Sequence, residues 1–307
     1  MRILVVGAGA TGGYFGARLA DAGKDVTFLV RPARAAKLAQ AGLQIVSPHG
    51  DLTLRPELLL ADQIEEPFDI VLLAVKGFAL DAAMADCAPA IGPETMIVPL
   101  LNGMRHVDLL RARFGARPVL GGVCRVATML DAEGRILQLA KFQELLYGEW
   151  SGAPSARTER LDQAMQNAGF EARLSRTIEQ DMWDKWILLA TMGGVTCLMR
   201  GTIGEIEAAP GGAAFARAFL SEVVAITRAA GHPPSEAFVA ETQRMVTAKG
   251  SHMASSMYRD LTQGNTVEAE QILGDLLARG SASGVPAPLL AAAFTHLSVY
   301  QRRRQSD

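Results

Sequence analysis

A few residues in this 307-residue chain stand at spacings that suit chemistry. Gly7, Gly9 and Gly12 form G-x-G-x-x-G, with Ala10 and Thr11 inside it. Lys76 and Asn102 each close an apolar run, AVK at 74–76 and LNG at 101–103. Lys185 sits in MWDKWILL, Ser256 in SSMYRD, and Glu268 stands three residues after Asn265. A glycine loop lets backbone N–H groups approach a phosphate. A lysine ammonium can give a proton to an oxygen that gains negative charge. Asn, Ser and Glu side chains supply the hydrogen bonds that orient a small polar molecule. Each feature also has a plainer reading. Asn102-Gly103 suits an ordinary turn, Lys76 a solvated strand end, and Lys185 a solvent-facing helix position. Asn265 with Glu268 reads as a variant capping box, and the serines before Met257 as helix caps.

The elements around the glycines narrow the choice. Ile3 to Val6 is a short β-branched apolar run, as expected of a strand buried on both faces of a parallel sheet. Helical spacing follows from Tyr14 to Ala22, closed by Gly23, and DVTFLV at 25–30 reads as the next strand. Strand, Gly loop, helix and strand make the order of a dinucleotide-binding unit. Gly7 permits the turn, Gly9 admits the pyrophosphate, and Gly12 lets helix and strand close together. Ala10 and Thr11 lie within the loop, and the N-terminus of the helix that follows offers free N–H groups to the phosphates. No Asp or Glu ends DVTFLV to hold a ribose 2′-hydroxyl. Arg31 follows Val30, with Arg34 a turn further on, and a guanidinium suits a 2′-phosphate. NADP(H) is the expected cofactor; the alternative is a surface arginine at a helix start.

The α/β alternation continues with strands expected at 43–46, 52–54, 68–75, 95–101 and 119–123, and helices at 79–87 and 105–114. Short antiparallel strands are expected over 126–147, with a turn at 131–134. A helix at 156–168 and a last strand at 170–174 complete this half. From about 177 no strand pattern remains. Apolar-periodic segments at 179–199, 213–230, 235–247, 267–281 and 286–303 predict an all-helical region. The predicted fold is α/β: an N-terminal Rossmann-type dinucleotide-binding domain over 1–176, then a helical substrate and catalytic domain over 177–307. The site is expected between them, at the carboxyl ends of the parallel strands.

Composition agrees with a small-molecule enzyme. The formal charge of −2 argues against a nucleic-acid partner. Three scattered cysteines imply no disulfide framework, and the five histidines lack metal-ligand spacing. No apolar run reaches the length of a membrane helix, so a cytoplasmic protein is expected. Arg302, Arg303 and Arg304 read as a frayed, solvated tail. A homodimer is compatible with the helical half, though no pattern specifies one.

Taken in order, GAGATGG at 7–13, AVK, LNG, WDK at 183–185, SSMYRD and Glu268 resemble the ketopantoate (2-dehydropantoate) reductases along nearly the whole chain. The resemblance implies NADPH-dependent reduction of a 2-oxo acid to a 2-hydroxy acid, as in the ketopantoate-to-pantoate step of pantothenate biosynthesis. It implies Lys185 as the proton donor and Glu268 as the substrate-side glutamate. Ser256 and Asn102 would lie around substrate and nicotinamide, Lys76 in the catalytic cleft, and Arg31 near the 2′-phosphate. It also implies asparagines where this chain has Leu189, Gly193 and Ile203, a departure that bears on the substrate. A related dehydrogenase acting on another 2-oxo or hydroxy acid, and a catalytically weak NADPH-binding regulator, remain the alternatives.

Overall fold

The computed structural model describes residues 1–306, with side chains described through Arg304. Its first strand, β1 (Arg2–Val6), is buried along both faces. Ile3 and Val5 belong to one apolar core and Leu4 and Val6 to another. That alternation is what a parallel sheet covered on both sides demands. Four strands join β1: β2 (Asp25–Leu29), β5 (Glu57–Leu59), β6 (Ile70–Leu73) and β7 (Met96–Pro99). All pair in parallel, in the order β5-β2-β1-β6-β7. Helix α1 (Ala10–Asp21) follows β1, and α2 (Pro32–Ala41) follows β2. Across the sheet α3 (Leu80–Cys87) and α4 (Arg105–Phe114) supply Leu80, Met84 and Leu110 to the second core.

A second sheet covers the α1 side. It holds β3 (Leu43–Val46), β4 (Leu52–Leu54), β8 (Gly121–Leu130), β9 (Ile136–Gly148) and β10 (Glu171–Leu174). Where short strands are expected over 126–147, one long antiparallel hairpin stands, with β8 and β9 paired from Gly121↔Gly148 to Leu130↔Ile136. A register shift between Val126 and Thr128 breaks the polar-apolar alternation, so the pattern reads as interrupted strands. Tyr14 ties α1 to this sheet, its hydroxyl donating to Gln138 at 2.9 Å. Helix α5 (Ala156–Met165) packs Leu161 and Met165 into the same core.

The chain divides into two compact units, Met1–Leu101 with His106–Glu179, and Asn102–Arg105 with Gln180–Asp307. Set against the expected division at 176, the change of unit comes within the first turn of α6 (Ile178–Met199). Four residues that follow β7 count with the helical unit. That unit comprises the rest of α6, α7 (Ile203–Ala208), α8 (Gly212–Ala229), α9 (Glu236–Val246), α10 (Ser256–Thr262), α11 (Asp275–Ala282) and α12 (Pro288–Ser306). Helices α7 and α10 are too short for a periodic signal, and a π-type turn, Glu270–Gly274, precedes α11. The expected frayed tail is instead helical: Arg302, Arg303 and Arg304 are exposed in α12, and Arg304 donates to the Thr266 hydroxyl. Among the described residues, no helix is long and apolar enough to cross a membrane.

One ion pair locks the end of β9. The Arg157 guanidinium grips both Glu149 oxygens at 2.6–2.7 Å and donates onward to the Arg117 carbonyl. The Arg157 hydrogen bonds hold the Glu149 carboxyl below its usual range against the opposing effect of burial. A depressed carboxylate stabilises the fold above the unfolded pKa and loses that contribution as pH falls through the folded value. Glu149→Gln is therefore expected to cost about 1–3 kcal/mol at pH 7. In urea unfolding, the gap to the parent should close below about pH 4.

Candidate active site

The nucleotide end is built by the loop between β1 and α1. Gly7 has φ +98°, a left-handed value that glycine takes without strain. A Cβ on Gly12 would lie 2.1 Å from the Gly7 carbonyl oxygen and 2.7 Å from the Ala74 Cβ. Gly12 is thus what allows α1 to start against β1. Gly9 has nothing within 4 Å of the place its Cβ would take. It stands at the N-terminus of α1 with no side-chain cap, so the α1 N–H groups face an open approach. Ala10 and Thr11 are the first residues of that helix.

Gly7, Ala8 and Gly9 line a cavity of about 650 Å³ that also reaches Arg31, Arg34 and Asp62. Arg34 is committed to the wall: its Nε donates to the Ala8 carbonyl at 3.0 Å and its Nη atoms reach the Gly134 carbonyl. Burial lowers its pKa from the usual arginine value. Arg31 opens α2, is exposed, and has no side-chain hydrogen bond or ion pair among the described residues. Asp62 and Leu130 are wall residues that sequence spacing does not reveal, because β5 and the β8/β9 hairpin bring them in from other parts of the chain. Lys76 is exposed after β6, between Val75 and Ala79, which both line the cavity. The cavity fits a dinucleotide: a glycine edge at a helix N-terminus, an apolar floor and an uncommitted guanidinium.

The second group of residues lies in the helical unit. Along α6 the side chains of Asp181, Asp184, Lys185, Leu188 and Leu189 are half-buried while those between are buried. Their spacing of three and four puts them on one face. Trp183 and Trp186 point elsewhere, about 200° and 100° around the helix from Lys185. The indoles are buried with ring centroids 5.1 Å apart, and Trp183 stacks on His232. So the aromatic pair anchors α6 and leaves Lys185 on the open stripe.

Glu268 is 3% exposed and accepts a hydrogen bond from Asn102 Nδ2 at 3.3 Å. The capping-box alternative does not fit, because residues 265–268 are not helical and the helix begins only at Ala269. Around Asn102 the chain is pinned to the π-type turn. A Cβ on Gly103 would lie 2.2 Å from the Gln271 carbonyl oxygen, Arg105 pairs with Glu270 at 3.0 Å, and Trp186 donates to the Ile272 carbonyl at 2.8 Å. Ser255, not Ser256, caps α10, accepting from the Tyr258 N–H and bonding to Thr196. Ser256 is the first helical residue, half-buried, with its hydroxyl uncommitted among the described residues. The structure therefore gathers Lys185, Asn102, Glu268 and Ser256 into one unit and places Gly7, Gly9, Gly12, Arg31 and Lys76 in the other.

The departures from asparagine are also legible here. Leu189 lies on the open stripe one turn beyond Lys185. A Cβ on Gly193 would meet Met257 Cε at 2.6 Å, so the Met257 thioether fills the space that a side chain at 193 would take. Ile203 is fully buried at the start of α7. Burial pushes the Cys87 thiol up to about 11 and the Cys197 thiol up to about 12, so neither supplies a thiolate.

The chain matches the family profile "Ketopantoate reductase PanE/ApbA" over residues 3–152 and "Ketopantoate reductase PanE/ApbA C terminal" over 177–301. It belongs to the ketopantoate reductase family of oxidoreductases. It is 36% identical over 304 residues to "Uncharacterized oxidoreductase YkpB" of Bacillus subtilis (strain 168), covering 99% of this chain and 100% of that one. The crystal structure of 2-dehydropantoate 2-reductase from Geobacter metallireducens GS-15 superposes with a TM-score of 0.87 at 28% identity, covering 97% of this chain and 99% of that one. A ternary structure of D-mandelate dehydrogenase with NADH and anilino(oxo)acetate shares the fold, with a TM-score of 0.89 at 19% identity over 99% of this chain and 100% of that one.

The two glycines separate folding from binding. Gly12→Ala should cost about 1–3 kcal/mol in urea unfolding, because backbone must shift to admit the methyl group. Gly9→Ala should melt near the parent temperature and yet lose affinity for a nicotinamide dinucleotide by fluorescence titration, since its methyl group enters only the open approach.

Proposed function

We propose that this protein reduces a 2-oxo acid to the corresponding 2-hydroxy acid with NADPH. The observation that carries the reading is the open stripe of α6, which presents Lys185 in the same unit as Asn102, Glu268 and the uncommitted Ser256 hydroxyl. NADPH, when bound, supplies the hydride. Gly7, Gly9, Gly12 and the N–H groups of Ala10 and Thr11 hold its pyrophosphate, and Arg31 holds the 2′-phosphate. Lys76 polarises or positions groups beside the nucleotide. Lys185 donates a hydrogen bond, then a proton, to the substrate carbonyl oxygen as charge builds there. Asn102, Ser256 and Glu268 orient the substrate, with Asn102 held by Glu268.

The substrate is a 2-oxo acid with a less hydroxylated side chain than ketopantoate. Leu189 and the Met257 thioether over Gly193 leave no hydrogen-bonding group at two of the three asparagine positions, and Ile203 is packed in the core. A site built from apolar groups gives a substrate hydroxyl no partner, and such losses change specificity strongly. Asp62 in the cavity wall favours a second reading of the cofactor, in which its carboxylate holds an unphosphorylated ribose and NADH is the donor.

Three measurements test this reading. Lys185→Met should lower kcat by about 10²–10⁴-fold, with NADPH affinity and melting temperature near the parent's. A folded Lys185→Met protein with parental kcat would remove Lys185 from the chemistry. Arg31→Ala should weaken NADPH more than NADH; equal weakening, or a parent that prefers NADH, returns the role to Asp62. Across a panel of 2-oxo acids, ketopantoate should show a lower kcat/KM than an apolar analogue such as 2-oxoisovalerate.

A further inference from the structure

Arg259 occupies α10 three residues after Ser256, which puts both on one face of that helix. Met257 and Leu261 are buried on its other side. The Arg259 side chain is half-buried, and among the described residues its single hydrogen bond runs from Nη1 to the Ala254 carbonyl at 3.1 Å. That bond folds the guanidinium back over the start of α10, beside Ser256. No carboxylate lies within ion-pair distance of it among the described residues; Asp260 acts on it only as a nearby charge. Burial lowers its pKa from the usual arginine value. A guanidinium partly withdrawn from water with most of its donors unused is unfavourable in an empty site. Its planar fork is shaped for two carboxylate oxygens.

We propose that Arg259 binds the carboxylate of the 2-oxo acid, so that the substrate lies between Arg259 and Lys185. The proposal rests on the function inferred above. The start of α10 is fixed to α6 by the Thr196–Ser255 hydroxyl contact at 2.9 Å and by Met257 over Gly193. Lys185, Leu189 and Gly193 succeed one another at four-residue spacing along α6. Lys185 and Gly193 are thus about 12 Å apart along the axis. The Arg259 guanidinium, folded back toward the start of α10, would take the carboxylate end of the 2-oxo acid, and Lys185 its carbonyl end. The side chain of the acid would then rest on Leu189, on the open stripe of α6. Arg259 in this way supplies the polar anchor that Leu189 and Gly193 do not.

The test uses the full-length protein loaded with NADPH and oxamate as an inert 2-oxo acid analogue, with neutral oxamide as its control. Calorimetry should show Arg259→Gln weakening oxamate about 10–100-fold, Arg259→Lys recovering part of the loss, and oxamide unaffected. Arg259→Met should melt no lower than the parent, because it removes a half-buried cation with no carboxylate partner. A merely structural arginine gives the opposite pattern, a lowered melting temperature with parental oxamate affinity in Arg259→Gln and Arg259→Lys, and that result overturns the proposal. Equal weakening of oxamate and oxamide overturns it too. If the parent binds NADPH but no oxamate, the 2-oxo acid function itself falls, and this assignment with it. If the parent binds oxamate and Arg259→Gln binds it equally well, only the Arg259 assignment falls.

Discussion

The nucleotide unit depends on a missing methyl group. With no Cβ at Gly12, the Gly7 carbonyl and the Ala74 side chain can both press against α1. That contact sets where α1 begins, and hence where its uncapped N–H groups point. It also fixes the distance from α1 to the sheet, so that Tyr14 and Phe15 are fully buried in the core between the two sheets. The same closeness lets the Tyr14 hydroxyl reach Gln138 on β9. The phosphate approach and the inter-sheet core are therefore consequences of one backbone contact.

In the helical unit the corresponding constraint is the burial of Trp183 and Trp186. Two large rings on one side of α6 fix the helix's rotation about its axis, and Arg279 lies over both. Lys185 must then emerge on the opposite, half-open stripe. Trp186 also reaches the Ile272 carbonyl, so the rotation of α6 and the placement of the π-type turn are coupled. The turn in its own right receives Gly103 and Arg105, which brings Asn102 to Glu268.

Much of this was legible in the sequence, and the gaps have identifiable causes. The Gly loop, the strand-helix alternation and the run of long strand-free segments after 177 are read locally, and the fold class follows from them. β5 escapes notice because Glu57-Leu58-Leu59 shows no alternation, unlike the equally short Leu52-Thr53-Leu54 of β4. The long hairpin is masked by its register shift. Lys185 stands out by residue type, yet its aromatic neighbours in sequence lie on other faces, a distinction that needs helix rotation rather than adjacency. Arg259 sits in full view within SSMYRD, but only the three-dimensional count of its partners separates it from a solvated arginine. Glu268 looks like a cap because its partner, Asn102, is 166 residues away.

The assignment of residues 102–105 to the helical unit makes that unit discontinuous along the chain. A hybrid gene that joins the first half of one relative to the second half of another near residue 176 would carry the wrong Asn102–Arg105 segment. Its Gly103, Arg105 and Asn102 would have to suit a foreign π-type turn and a foreign Glu268. Recombination at the apparent border thus cuts through a cooperative piece, whereas transplanting the tetrapeptide together with the helices keeps it whole. The module that descent or a protein engineer can exchange is two stretches of chain, and the shorter is only four residues long.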